Sequence, residues 1–132
     1  MSLQIPDPVR AFLDRGTYAT IATVGADGSP HQAYVWYLRD GDEIVVNSAL
    51  GRRWPSDLLR DPRLSLAVAE GGGWVSLRGR VRVVDDRAIA AMSASPTARR
   101  YEPSNADAMI DRFRTEARIS FRLAPDAIHV EI

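Results

Sequence analysis

The sequence predicts a mainly β, antiparallel domain, folded as a barrel or a strongly curled sheet with short helices. First, about seven segments of strand length are rich in β-branched and aromatic residues. Second, turn signals of Gly, Asp and Pro separate many of these segments at short spacing. Third, helical segments lie between strands without the strand-helix-strand alternation of a parallel sheet. A length of 132 residues with 45% apolar composition predicts a single domain over residues 1–132.

The first part of the chain predicts a helix followed by three antiparallel strands. Asp7-Pro8 is an N-cap and first-turn pair, and Gly16 ends the helix. Turn chemistry at residues 26–29 and again at residues 39–42 separates the strand segments. The predicted strands are residues 18–24, 31–38 and 43–48. The first two of these strands form a predicted hairpin.

The remainder of the chain predicts a second short helix and four further strands. This helix starts at Trp54-Pro55-Ser56 and has Leu58 and Leu59 facing inward. In the strand that follows Gly71-Gly72-Gly73, polar side chains alternate with apolar ones, so that Trp74, Ser76 and Arg78 share one face. The other predicted elements are strands at 64–69, 118–123 and 127–132 and helices at 85–94 and 105–115.

Composition restricts the chemistry that the chain can perform. All 17 basic side chains are Arg, so a phosphate must be held by guanidinium groups, backbone N–H groups or hydroxyls. There is no Cys, and His31 and His129 are the only His residues, which leaves too few ligands for a transition metal. Redox chemistry would therefore need a bound organic cofactor.

Charge and hydropathy restrict the expected partners and location of the protein. The formal net charge is zero, which argues against nucleic acid as the main partner. No apolar run is long enough to span a membrane, and the first residues do not form a secretion signal. The expected location is the cytoplasm, with no membrane partner.

The sharpest local motif is the segment from Asn47 to Ser56. A buried strand ends in polar groups, turns at Gly51, and enters a helix behind Arg52 and Arg53. Helix N-termini bind anions because they present unpaired N–H groups, and a nearby Arg can grip phosphate oxygens. The alternative is that these arginines are only solvent-exposed residues at the start of the helix, where positive charge is unfavourable. Because positive side chains are unfavourable at a helix N-terminus, the presence of two arginines there favours an anion site.

Five motifs together resemble the pyridoxamine-phosphate-oxidase-like superfamily, most closely its F420-dependent branch. They are Ala19–Val24, Asp27-Gly-Ser-Pro30, Val35-Trp36-Tyr37, Gly51-Arg-Arg53 and the segment from Asp57 to Leu66. The similarity extends from about Leu13 to Val84 and is weaker in the terminal strands. It implies an FMN-binding-like, antiparallel Greek-key split β-barrel that forms a homodimer.

The resemblance also implies two cofactors in grooves at the subunit interface. Phosphates would be held by Ser48, Arg52 and Arg53, and the ring would rest against the second and third strands. The fifth strand would reach the cofactor of the partner subunit, although a structural ion pair is an alternative role for Arg78. The full set of implied cofactor-binding residues is Ala33, Val35, Trp36, Asn47, Ser48, Ala49, Arg52, Arg53, Trp54, Trp74, Ser76 and Arg78.

The leading functional hypothesis is an oxidoreductase that binds coenzyme F420 and transfers a hydride to an unsaturated small molecule. Relatives in the F420 branch often carry a Lys where this chain has Trp54, so FMN is the alternative cofactor. Two other hypotheses are a flavin- or tetrapyrrole-binding protein without turnover and a small barrel that binds oligonucleotides. No catalytic side chain is assigned. His31 is either a proton donor or a solvated surface residue, and His129 has no proposed role.

Overall fold

The computed structural model describes residues 2–16, 18–84 and 118–132. The predicted helices at 85–94 and 105–115 lie outside these residues. The described elements, in chain order, are α1 (Asp7–Arg15), β1 (Ala19–Val24), β2 (Pro30–Val35), β3 (Tyr37–Asp40), β4 (Glu43–Ala49), α2 (Arg53–Arg60), β5 (Arg63–Glu70), β6 (Gly73–Val84) and β7 (Arg118–Glu131).

The strands form one seven-stranded antiparallel sheet in the order β2-β1-β5-β6-β7-β4-β3. β2 and β3 therefore lie at opposite edges, yet Trp36 alone separates Val35 from Tyr37. Two consecutive Cα steps bring the ends of these edge strands within about 7 Å of each other. The sheet must curl until its edges meet at Trp36, which gives the half-barrel shape expected of a split β-barrel.

Alternate residues along each strand fill the interior of the curled sheet. Ile21, Ile44, Leu66, Leu77 and Phe121 are all fully buried, and the residues between them point to the other side of the sheet. Helix α1 covers one opening of the interior by burying Val9, Phe12 and Leu13. The Tyr37 hydroxyl donates a hydrogen bond to the Leu13 carbonyl oxygen and fixes α1 to β3.

Two predicted strand boundaries were wrong. The predicted strand 31–38 is two strands, because the chain passes from one sheet edge to the other at Trp36. The predicted strands 118–123 and 127–132 are one strand, β7, which continues through Pro125. Proline is tolerated there because the register with β6 shifts between Arg78 and Gly79, so the ladder needs no N–H at that point.

Both described helices also differ in detail from the prediction. Asp7 is the first helical residue of α1, and Pro6 stands at the N-cap without a side-chain hydrogen bond. α2 starts one residue earlier than predicted, at Arg53. Leu58 is 3% exposed, as predicted, but Leu59 is 56% exposed. Successive helical residues point about 100° apart, and the narrow buried stripe of this short helix covers only one of the two.

Candidate functional site

The N-terminal end of α2 is an uncapped helix start flanked by two arginines. Gly51, with a φ of 92°, makes the turn out of β4, and Arg52 occupies the N-cap position without a side-chain hydrogen bond. The first helical turn contains no acidic residue. Pro55 has no N–H, so the backbone donors available at this end are those of Arg53 and Trp54.

Arg52 and Arg53 are both exposed at this end of α2. Within the described part of the chain, neither guanidinium makes a hydrogen bond or an ion pair. Two unpaired positive charges at a helix N-terminus are unfavourable unless an anion binds beside them. This arrangement therefore fits the phosphate of a nucleotide-like cofactor.

Ser48 supplies a second observation at the same place. Its side chain lies on the interior face of β4, in line with Ile44 and Val46, and the residue is 2% exposed. Among the described residues, its Oγ atom has no hydrogen-bond partner. A buried hydroxyl without a partner is costly, so Ser48 Oγ is suited to a hydrogen bond with an ordered water or a polar ligand atom.

Several residues predicted to bind the cofactor face the interior instead of a groove. Ala33 and Val35 lie on the inward side of β2 and pack on the core. Trp54 is 8% exposed, and its ring centroid lies 5.9 Å from that of Phe121. Trp36 is half-buried at the corner between β2 and β3, with its ring centroid 6.4 Å from that of Tyr18.

Asn47 and Ala49 point to the outer side of β4, opposite to Ser48. The amide of Asn47 is already engaged on both sides. Its Nδ2 donates to Ser120 Oγ at 2.7 Å, and its Oδ1 accepts from Arg118 Nε at 2.5 Å. These contacts orient the end of β4 but leave Asn47 little capacity to bind a ring.

Trp74, Ser76 and Arg78 lie together on the outer face of the sheet, as their alternation predicts. The strand register continues this face across four neighbouring strands. Ser76 lies opposite Ala67 on β5 and His129 on β7, and Ala67 in turn lies opposite Thr20 on β1. The residues at the centre of the outer face are small: Thr20, Ala22, Ser65, Ala67, Ser76 and Ala127. Small side chains leave a local concavity on this face, although the curl of the sheet makes its outer side convex as a whole.

Two adjoining pockets occupy this concavity. The larger, of about 430 Å³, lies over β1, β5 and β6, and its charged lining residues are Arg63, Arg78, Arg80 and Asp126. The smaller, of about 360 Å³, reaches His129 on β7. Ser65 and Arg78 line both pockets. The Trp74 and His129 rings stack at a centroid distance of 4.9 Å on this face.

Sequence reasoning did not identify Arg63, Arg80 and Ser65 as pocket residues. Their proximity depends on the β5–β6 register, in which Arg63 lies opposite Arg80 and Ser65 lies opposite Arg78. The sequence does carry one signal, because Arg80 continues the polar alternation of Trp74, Ser76 and Arg78.

A buried carboxylate network was also missed. Asp57, on α2, is 4% exposed and accepts hydrogen bonds from Thr23 Oγ1, His31 Nδ1 and Arg60 Nη2, each at 2.8 Å. Neither proposed role of His31 anticipated this contact. The imidazole also packs on Gly25, where a Cβ would come within 2.4 Å of the ring. The network attaches α2 to the β1–β2 hairpin.

Two further features bear on function. The described residues contain no cluster of His, Asp or Glu that could hold a metal ion. Among the helices described, none is long and apolar enough to cross a membrane.

The curled antiparallel sheet with its two short helices is a split β-barrel. The profile of the pyridoxamine 5'-phosphate oxidase family matches residues 5–128. The chain therefore belongs to this family. No curated protein sequence matches it significantly.

Solved structures share the fold. The conserved hypothetical protein Rv2991 from Mycobacterium tuberculosis superposes with a TM-score of 0.84 at 22% identity, over 98% of this chain and 86% of that one. HutZ, the heme storage protein of Vibrio cholerae, gives 0.75 at 17% identity, over 98% and 96%. A protein named as an F420 reductase gives 0.70 at 18% identity, over 95% and 98%. At these identities the likeness establishes the fold.

Proposed function

We propose that the protein is an oxidoreductase that binds coenzyme F420 and acts on an unsaturated small molecule. The observation that carries the proposal is the pair of unpaired arginines, Arg52 and Arg53, at the uncapped N-terminus of α2 in a chain of this family. The Ser48 hydroxyl, which precedes them in the chain by four residues or more and has no hydrogen-bond partner among the described residues, supports it. A structural neighbour named as an F420 reductase makes F420 the first cofactor to test.

In this proposal Arg52 and Arg53 bind the cofactor phosphates, together with the N–H groups that begin α2. The cofactor, when bound, supplies two-electron chemistry by hydride transfer. The protein's own residues bind it, orient it and exclude water. The outer face of β6, with Trp74, Ser76 and Arg78, contributes to the cofactor site of a partner subunit in a cytoplasmic homodimer.

FMN is the second candidate because of Trp54. The side chain at this position is buried against Phe121 and provides no charge to a phosphate. A single terminal phosphate could be satisfied by Arg52 and Arg53, whereas the F420 tail adds a phosphodiester and glutamates that favour a wider basic surface. The side chain of Arg60, at the opposite end of α2, is 45% exposed, but it is already paired with Asp57 at 2.8 Å.

Titration of both cofactors at low and moderate ionic strength tests the proposal. We expect F420 to bind more tightly than FMN, by a margin that shrinks with salt because part of it is screened Coulomb attraction. Arg52→Ala and Arg53→Ala should each weaken binding about tenfold to a hundredfold, since each removes a charge-assisted contact. The control is Arg15→Ala, an exposed arginine at the end of α1.

Stronger FMN binding at both ionic strengths would replace F420 with FMN. Unchanged affinity in both α2 variants would move the phosphate site elsewhere. Substrate reduction by the loaded enzyme then separates an oxidoreductase from a protein that holds a cofactor without turnover.

A further inference from the structure

The outer face of the sheet carries a second set of arginines, distinct from the pair at α2. Arg63 on β5 lies directly opposite Arg80 on β6, and Arg78 is two residues from Arg80. Like charges directly opposite each other on neighbouring strands destabilise a sheet. The three side chains nevertheless line one pocket of about 430 Å³.

Only one of these arginines is neutralised by a described residue. Arg63 binds Asp61 through Nη2 at 2.6 Å and Nε at 3.0 Å, and these bonds, with a smaller contribution from the charge of Arg80, lower the pKa of Asp61 to about 2. Within the described chain, Arg78 and Arg80 make no hydrogen bond and no ion pair. Two guanidinium groups therefore remain available to a ligand.

The net charge of the pocket selects the class of ligand. Asp126 lines the same pocket and pairs with no described cation. The two positive charges of Arg78 and Arg80 exceed the negative charge of Asp126 by one. This excess suits a monoanion better than a dianion. A guanidinium also matches the planar geometry of a carboxylate through two parallel hydrogen bonds.

The rest of the pocket suits an organic molecule. Ala22 and Gly79 are small and leave space in the pocket. Its apolar walls are formed by Val24, Pro30 and Leu64. The Ser65 hydroxyl can donate a hydrogen bond to a ligand. A larger residue does not fit easily at position 79, since its Cβ would lie 2.7 Å from the Ala124 carbonyl oxygen. Gly79 alone stands between Arg78 and Arg80 along β6, and the extra residue of the register shift, Asp126, lies opposite on β7.

We propose that this pocket binds the carboxylate of a small organic acid. Arg78 and Arg80 bind the charge, Ser65 donates a hydrogen bond, and the apolar walls cover the carbon skeleton. Arg78 is also one of the residues proposed above for the cofactor site of a partner subunit, so this binding is tested in cofactor-free protein, where its outcome does not depend on the redox function.

Calorimetric titration of cofactor-free protein tests this site. The probes are benzoate and hexanoate, with benzamide as the neutral match for benzoate. Both acids should bind, and benzamide should bind much more weakly. Arg78→Ala and Arg80→Ala should each reduce the affinity for benzoate about tenfold or more, and Arg78→Lys should retain part of it. Arg15→Ala, at an exposed arginine of α1 outside both proposed sites, is the matched control and should bind benzoate like the wild type.

Circular dichroism of each variant shows whether it is folded. The proposal is overturned if neither acid binds the folded wild type, if benzamide binds as well as benzoate, or if Arg15→Ala weakens binding as much as the β6 variants do. Failure of F420 and FMN to bind would leave these results unaffected.

Discussion

Asp57 is the residue through which α2 is attached to the first hairpin. Burial acts to raise the pKa of its carboxyl group, but hydrogen bonds from His31, Thr23 and Arg60 outweigh this effect and lower the pKa below the usual 3.8. The carboxylate therefore stays ionised although it is 4% exposed. The same helix carries Arg53 at its other end, so Asp57 positions the proposed phosphate site.

Asp57→Asn should destabilise the fold at about pH 7 by about 1.5–3 kcal/mol, because the amide loses charge-assisted bonds with Arg60 and His31. Urea unfolding of both proteins measures the difference. The control is Asp14→Asn, which breaks an exposed pair with Arg39 and should change stability by less than about 1 kcal/mol. Equal losses in the two variants would contradict the role assigned to the buried network.

The pH dependence follows from the lowered pKa of Asp57. A carboxylate with a lower pKa in the folded state stabilises the protein above its unfolded-state pKa, near 3.8. This contribution is lost as the pH falls through the lower folded-state value. The stability difference between wild type and Asp57→Asn should therefore shrink below about pH 3.8 and persist at neutral pH.

The sequence predicted the candidate site where the signal is local. Arg52 and Arg53 follow a turn glycine and begin a helix, and neighbouring residues alone determine that arrangement. The sequence could not predict that Ala33 and Val35 face the core, because this depends on which side of a curled sheet is enclosed. It also could not predict that Thr23, His31 and Asp57 meet, since 26 to 34 residues separate Asp57 from its two partners.

The β6–β7 pair owes its shape to the register shift beside Gly79. Asp126 is the extra residue on β7, between Pro125 opposite Gly79 and Ala127 opposite Arg78. The backbones approach so closely there that the absence of a side chain at position 79 is a packing requirement. The same shift allows β7 to continue through Pro125, whereas the sequence predicted two separate strands there.

Gly79→Ala should destabilise the protein by about 1–3 kcal/mol, because its Cβ would be forced toward the Ala124 carbonyl oxygen. Thermal and urea unfolding measure the effect. In a strand without this approach, alanine would be neutral or stabilising relative to glycine. An unchanged or raised stability would therefore contradict the close backbone contact.

The seven-stranded antiparallel sheet was predictable from periodicity and turn residues, because each strand length and each hairpin depends mainly on nearby residues. The order of the strands was not, since β7 also pairs with β4, where the partners Ala49 and Arg118 lie 69 residues apart in the chain. Family motifs between residues 19 and 66 compensated for this and indicated the split barrel. The single-domain extent over residues 1–132 stays a prediction.

The outer face of the sheet predicts a homodimer, since small residues from Thr20 to Ala127 leave a wide sheet surface that the described helices do not cover. Light scattering at micromolar concentration should give a mass of two chains. Ala67→Arg, which places a large charged side chain at the centre of this face, should give a monomer. Ala11→Arg on the exposed side of α1 is the control and should remain dimeric. A monomeric wild type would reject a cofactor site shared between subunits.

The central position of β7 has a consequence for the nascent chain. Among the described strands, β7 lies between β6 and β4 and is their only connection in the sheet. Until residues 118–131 emerge from the ribosome, the sheet therefore consists of two separate pieces, β2-β1-β5-β6 and β4-β3. Trp36 tethers the two pieces at one corner, but both expose an unpaired edge during synthesis. Until β7 is inserted, those edges are free to pair with another chain, so translation pausing within residues 85–117 would increase aggregation.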